Sequence, residues 1–256
     1  MSSAFLPILR NEFRLFKRQG TIVGVLIFMP LVLIVLLRET LRASLSVRGY
    51  AGANGTEQLV PGQAVMFAFF LTGVVALSFF REHSWHTWER LRASRARPLD
   101  IIVAKSVPFW LAGVGQLLIL FAIGIALFDL EFTGSATGIL ILCPLYAATL
   151  VAFGVMLVAV LKSMPQVNTI ANLGAIVFGA LGGALIPVAD LPQWSQHVAP
   201  IFPTYWAMRG FRSIVLESGG LDTLLLPSAM LLAFTAVFVA IAAAKLRMSD
   251  QKISWA

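Results

Sequence analysis

The chain has 256 residues, of which 59% are hydrophobic and only 12% charged, with a mean hydropathy of +0.87. Soluble domains carry about 45–50% apolar and about 25% charged residues, so this composition excludes a water-soluble globule and defines a membrane protein. The net charge of +7 is therefore read loop by loop as a topology record, while a single cysteine, Cys143, excludes an internal disulfide or a Cys-based metal cluster.

At the start of the chain, Phe5, Leu6, Leu9, Phe13 and Phe16 recur at helical spacing, and Arg10, Arg14, Lys17 and Arg18 fall largely on another face. This pattern predicts a helix over 4–18 lying in the membrane interface, its cations toward anionic headgroups. Six charge-free stretches follow, at 21–37, 61–80, 106–128, 137–161, 168–187 and 223–244. Each meets or approaches the roughly 20 residues a helix needs to cross the hydrocarbon. The runs are continuous rather than alternating, which selects helices over a barrel. The polar stretch before the first run is too long for a secretory leader, and no small-residue cleavage site follows it, so the first run is expected to stay as a span.

With six spans, 14 of the 19 Lys and Arg fall on the side that holds both termini, and five (Arg38, Arg42, Arg48, Arg209 and Arg212) on the other. The positive-inside rule then places both termini in the cytoplasm. The reading is an all-α membrane protein, one transmembrane domain over 1–256, with six spanning helices.

The segment 81–98 between the second and third spans sets Trp85, Trp88 and Leu91 three residues apart, with Glu82, Glu89, Arg90 and Arg92 interleaved. Pro98 closes it. A short amphipathic cytoplasmic helix results. Exposed tryptophans among arginines suit docking of another protein, and anchoring to the membrane surface is the competing reading. His83 and His86 stand three apart but lack further ligands nearby, so no metal site is expected.

Between the fifth and sixth spans, 188–222 is too polar to span, too apolar for a free loop, and broken by Pro192, Pro200 and Pro203. Short helices dipping into the outer leaflet are expected, with Trp194, Tyr205 and Trp206 at headgroup depth and a lid over an exit route. A plain aromatic belt competes with this reading. Asn54-Gly55-Thr56 matches a glycosylation acceptor.

The six runs contain no Asp, Glu, Lys, Arg or His, whereas proton-driven carriers use such groups as relays. No lysine follows a glycine, so there is no P-loop, and neither Gly-x-Ser-x-Gly nor His-Glu-x-x-His occurs. The chain reads as a pathway whose motor lies elsewhere.

Two runs of residues carry a family likeness. They are Arg81-Glu82 with Thr87-Trp88-Glu89-Arg90-Leu91-Arg92-Ala93-Ser94 and Pro98-Leu99-Asp100-Ile101, and Leu191-Pro192-Gln193-Trp194 with Pro200-Ile201-Phe202-Pro203-Thr204-Tyr205 and Arg209. With the six-span layout and the amphipathic leader helix, they make the chain resemble ABC-2 type transporter permeases over essentially its whole length. The resemblance implies a non-enzymatic half-transporter in the bacterial plasma membrane, paired with a second six-span subunit, identical or not, and with two ATPase subunits. Those subunits would hold the ATP and Mg, this chain having no cofactor of its own. It also implies that Glu82, Trp85, Trp88, Glu89, Arg90 and Leu91 face the ATPase as a coupling helix. Pro192, Trp194, Pro200, Pro203, Tyr205 and Arg209 would belong to the small outer helices that gate the path. Export of an amphipathic drug, antibiotic or lipid is the favoured function. A lipid-linked polysaccharide permease, a non-transporting membrane scaffold and a cation-driven carrier are the alternatives.

Overall fold

The computed structural model describes residues 5–17, 20–47, 52, 54–84 and 97–245. Among them every regular element is helical, and no strand occurs. The elements are α1 (Phe5–Lys17), α2 (Gly20–Val47), α3 (Thr56–Phe69), α4 (Leu71–Ser84), α5 (Pro98–Phe128), α6 (Thr137–Val160), α7 (Met164–Leu181), α8 (Gln193–Val198), α9 (Pro203–Val215) and α10 (Leu225–Lys245). Single 3-10 turns at Val188–Asp190, Ala199–Ile201 and Leu221–Leu224 link the last four.

Among the described residues, five helical segments are long and apolar enough to cross a membrane: 24–47, 56–82, 99–128, 137–160 and 221–245. They match the first, second, third, fourth and sixth expected spans, with different ends. α2 does not stop at Leu37 but continues as helix through Arg38, Glu39 and Arg42 to Val47. Because a helix satisfies its own backbone, charge does not end it at the edge of the hydrocarbon. Two of the arginines that the positive-inside count left on the minority side are thus surface residues of α2. Arg38 Nε reaches the Asn54 carbonyl at 3.4 Å, and Arg42 lies 4.0 Å from Glu39.

The second span is two helices. At Phe70 the chain tightens, with Phe70 N–H bonded to the Phe67 carbonyl and Gly73 N–H to the Phe70 carbonyl, at 3.2 and 3.1 Å. Such i to i+3 bonds mark a break in the α ladder. The fifth expected span, 168–187, corresponds to α7, which has 18 residues and so extends ~27 Å. It carries Gln166, Asn168 and Asn172, and it ends at Leu181 where Gly182 and the left-handed Gly183 (φ 87°) turn the chain.

The buried centre is α6, packed against α4, α5, α9 and α10. Lipid supplies little hydrophobic drive between helices, so small side chains and interhelical hydrogen bonds must hold them. Tyr146 is fully buried and donates to the Val65 carbonyl at 3.0 Å. Thr149 Oγ1 lies 3.0 Å from Thr235 Oγ1 and 3.2 Å from the Leu231 carbonyl, tying α6 to α10. Phe69, Phe153, Phe178 and Phe238 pack with ring centroids 5.0–6.1 Å apart, joining α3, α6, α7 and α10.

Asn54 is committed to the fold. Its side-chain oxygen accepts from Thr56 N–H and the Thr56 hydroxyl, its amide donates to the Asp129 carbonyl at 3.0 Å, and Glu57 accepts the Asn54 N–H at 3.1 Å. This reciprocal arrangement caps α3 as a capping box does.

Candidate functional site

Two sites stand at opposite ends of the bundle. The first is charged. Lys105 was counted with the loop cations because the third charge-free run opens at Ser106. The helix itself opens eight residues earlier, at Pro98, where a proline suits the first turn because its missing N–H would have no partner there. Lys105 therefore lies in the third turn of α5, and its exposure is 0%. Its Nζ donates to Glu12 Oε1 at 2.6 Å and to Glu82 Oε1 at 2.9 Å. Glu12 is 3% and Glu82 7% exposed. The Phe79 ring lies 5.6 Å from the ammonium, and Phe16 packs edge-on to Phe109 at 5.5 Å beside it.

The ionic cluster joins three elements: α1 through Glu12, the end of α4 through Glu82, and the start of α5 through Lys105. Glu12 Oε2 is buried with no hydrogen-bond partner among the described residues. Buried ion groups cost several kcal/mol each to dehydrate and hold together only with close geometry. Removing one partner of such a cluster therefore costs about 3–5 kcal/mol.

Glu82, expected to face a partner, is buried here with its carboxylate on Lys105. Trp85, Trp88, Glu89, Arg90 and Leu91 lie outside the described residues. The residues that sequence reasoning missed are Glu12 and Lys105. A signal for Glu12 was present, because it falls on the stripe of Phe5, Leu9 and Phe16 in an otherwise basic helix.

At the opposite end, 188–224 folds into short helices, broken where its prolines stand. α9 is deeply set: Pro203, Thr204, Trp206, Phe211 and Val215 are buried. Thr204 Oγ1 donates to the Phe178 carbonyl at 2.5 Å, capping the end of α7, and Trp206 Nε1 donates to the Pro200 carbonyl at 2.9 Å. A Cβ on Gly62 would sit 2.0 Å from the Ala184 carbonyl oxygen, so the turn after α7 rests directly on α3. Tyr205 and Arg209 line a cavity of about 200 Å³ together with Gln58, Arg212 and Glu217. Arg209 also lies 5.6 Å over the Trp206 ring, and Arg212 pairs with Glu217 at 3.0 Å. Pro192, Trp194, Pro200 and Pro203 do not line this cavity. Trp194 is 64% exposed, the Pro192 carbonyl accepts the Ser195 N–H at 2.9 Å, and Pro203 opens α9.

A chain of several long apolar helices, with a buried ionic junction at one end and short helices packed on the bundle at the other, is a multi-pass membrane protein in its architecture. The family profile described as ABC-2 family transporter protein matches residues 39–244, and the chain belongs to that family. It is 25% identical over 187 residues to the linearmycin resistance permease protein LnrN of Bacillus subtilis, an alignment covering 73% of this chain and 48% of that protein. It is 29% identical over 153 residues to the probable multidrug ABC transporter permease YbhR of Escherichia coli, covering 58% of this chain and 40% of that one. The chain thus spans less than half the length of these curated relatives. It is a multi-pass protein of the bacterial cell membrane.

Proposed function

We propose that the chain is the membrane-spanning subunit of an exporter for amphipathic or hydrophobic compounds, driven by ATP hydrolysis on a separate ATPase. The observation that carries this reading is the Glu12–Lys105–Glu82 junction. It ties the leader helix α1 and the span α5 to the last turn of α4, just before the 85–96 segment. A push on that segment is delivered to the leader helix α1 and the span α5 through one buried lysine. The resistance and multidrug designations of LnrN and YbhR support the class of cargo.

In this reading α7 is the remaining span, both termini face the cytoplasm, and the outer helices α8 and α9 close the path. The work is completed by two ATPase subunits and a second permease subunit. The uncovered apolar side of α7, with Ile170, Leu173, Ile176 and Val177 all exposed, suits such a partner. Glu82 acts by position, and Trp88, Glu89 and Leu91 make the contact.

Co-purification with the cognate ATPase, followed by reconstitution, tests the proposal. Glu89→Lys and Leu91→Asp are expected to abolish association and substrate-stimulated ATP turnover. A purified chain that concentrates a solute along an ion gradient with no ATPase present would overturn it.

A further inference from the structure

The inner part of α5 has two faces that do different things. At 3.6 residues per turn, Ile101, Ala104 and Lys105 share one side, and all three are buried. The opposite side, with Ile102, Val103 and Trp110, forms one wall of a groove. Val151 and Val155 of α6 and Val239 of α10 supply the others. The groove holds about 410 Å³, within the range of small-molecule sites, and among its lining residues only Ser106, Trp110 and Thr235 carry polar side-chain groups. From Leu99 to Trp110 it runs along eleven residues of α5, or ~16 Å. That is about half the hydrocarbon thickness, the depth of one leaflet.

Three exposed cations stand at the ends of the three helices that build it: Arg97 caps the start of α5, Lys162 follows α6, and Lys245 closes α10. Asp100, the carboxylate nearest in sequence, is buried and does not line the groove. An apolar slot one leaflet deep with a cationic mouth matches one ligand chemistry, an acyl chain below an anionic headgroup.

We infer that this groove is a binding site for an anionic phospholipid of the leaflet at the charged end, its chain lying along Val103, Trp110 and Val155 and its phosphate at Arg97, Lys162 and Lys245. The bound lipid braces α5 from the side opposite Lys105. It thereby fixes the helix that the ionic junction holds from the other side. The assignment stands on the groove and its rim and does not require the transport reading.

Trp110 is a built-in reporter. The full chain is placed in phosphatidylcholine vesicles containing brominated phosphatidylglycerol, or brominated phosphatidylcholine at the same mole fraction. The Trp110 signal is taken as the difference from Trp110→Phe. Brominated phosphatidylglycerol is expected to quench it several-fold more effectively. Because each cation near a lipid surface favours anionic lipid about five-fold, Arg97→Gln and Lys245→Gln should each reduce that preference by about this factor. Val103→Phe, which fills the slot, should remove it while leaving ordinary boundary quenching. Equal quenching by the two lipids would overturn the site as mere annular contact. Quenching by neither would mean that protein covers the groove, a second copy included, and would overturn it as well. A preference unchanged by both cation substitutions would refute the headgroup assignment.

Discussion

The two ends of the bundle are held together by different chemistry. At the charged end, three helices from distant parts of the chain meet on one ammonium. At the other end, α3, α7 and α9 meet through backbone carbonyls, a hydroxyl, a side-chain amide and a glycine that lets two backbones touch. Neutral hydrogen bonds contribute about 0.5–1.5 kcal/mol each and fail one at a time. A buried ionic cluster fails as a unit, because the surviving charges are left without compensation. One end is therefore suited to transmitting a displacement and the other to resisting one.

The largest test of this contrast is Lys105→Met. With Glu12 and Glu82 both deprived of the ammonium, stability in detergent should fall by about 3–5 kcal/mol, read as a lower thermal or denaturant midpoint. Adding Glu12→Gln and Glu82→Gln to that variant should recover most of the loss, since a neutral, filled site avoids the unpaired charge. A triple variant no more stable than the single one would show that the cluster is not electrostatic in origin.

A smaller loss is expected at the opposite end from Gly62→Ala. The new methyl meets the Ala184 carbonyl oxygen at 2.0 Å, and overpacking of this kind costs about 1–3 kcal/mol. Disulfide trapping or limited proteolysis of the turn at 182–190 should register the displacement. Smaller again is Thr204→Val, which removes the 2.5 Å bond to the Phe178 carbonyl for about 1 kcal/mol. The smallest effect belongs to Arg42→Ala. Its partner Glu39 is 4.0 Å away and both side chains are largely exposed, so unfolding midpoints should agree within error.

Much of this architecture was legible in the residues themselves. Continuous apolar runs announced the spans, and prolines at 192, 200 and 203 marked the short outer helices. Charge-free counting failed where helix and hydrocarbon do not share an end. It cut α2 at Leu37 although the helix runs on to Val47, and it began the third span one residue after the lysine that matters most. Pro98 held the better signal for the start of α5. The break at Phe70 left no proline to betray it, and α7 carries three amides that lower its apolar character. Glu82 was found from the run it sits in, but its contact with Lys105 was not, because a sequence pattern does not say which side of a helix a distant lysine will occupy. The pairing of Glu12 with Lys105, 93 residues apart, is a tertiary fact that neither local pattern contains.

The measurement that bears most directly on the ionic junction as a transmitter is the ratio of substrate exported to ATP hydrolysed in vesicles holding the permease with its ATPase, compared between the native chain and the Glu12→Gln, Glu82→Gln, Lys105→Met variant. The account predicts that the ATPase still co-purifies with the variant and hydrolyses ATP, while substrate moved per ATP falls at least about ten-fold, equivalent to 1.4 kcal/mol or more of lost coupling. An unchanged ratio in a folded, ATPase-bound variant would contradict it.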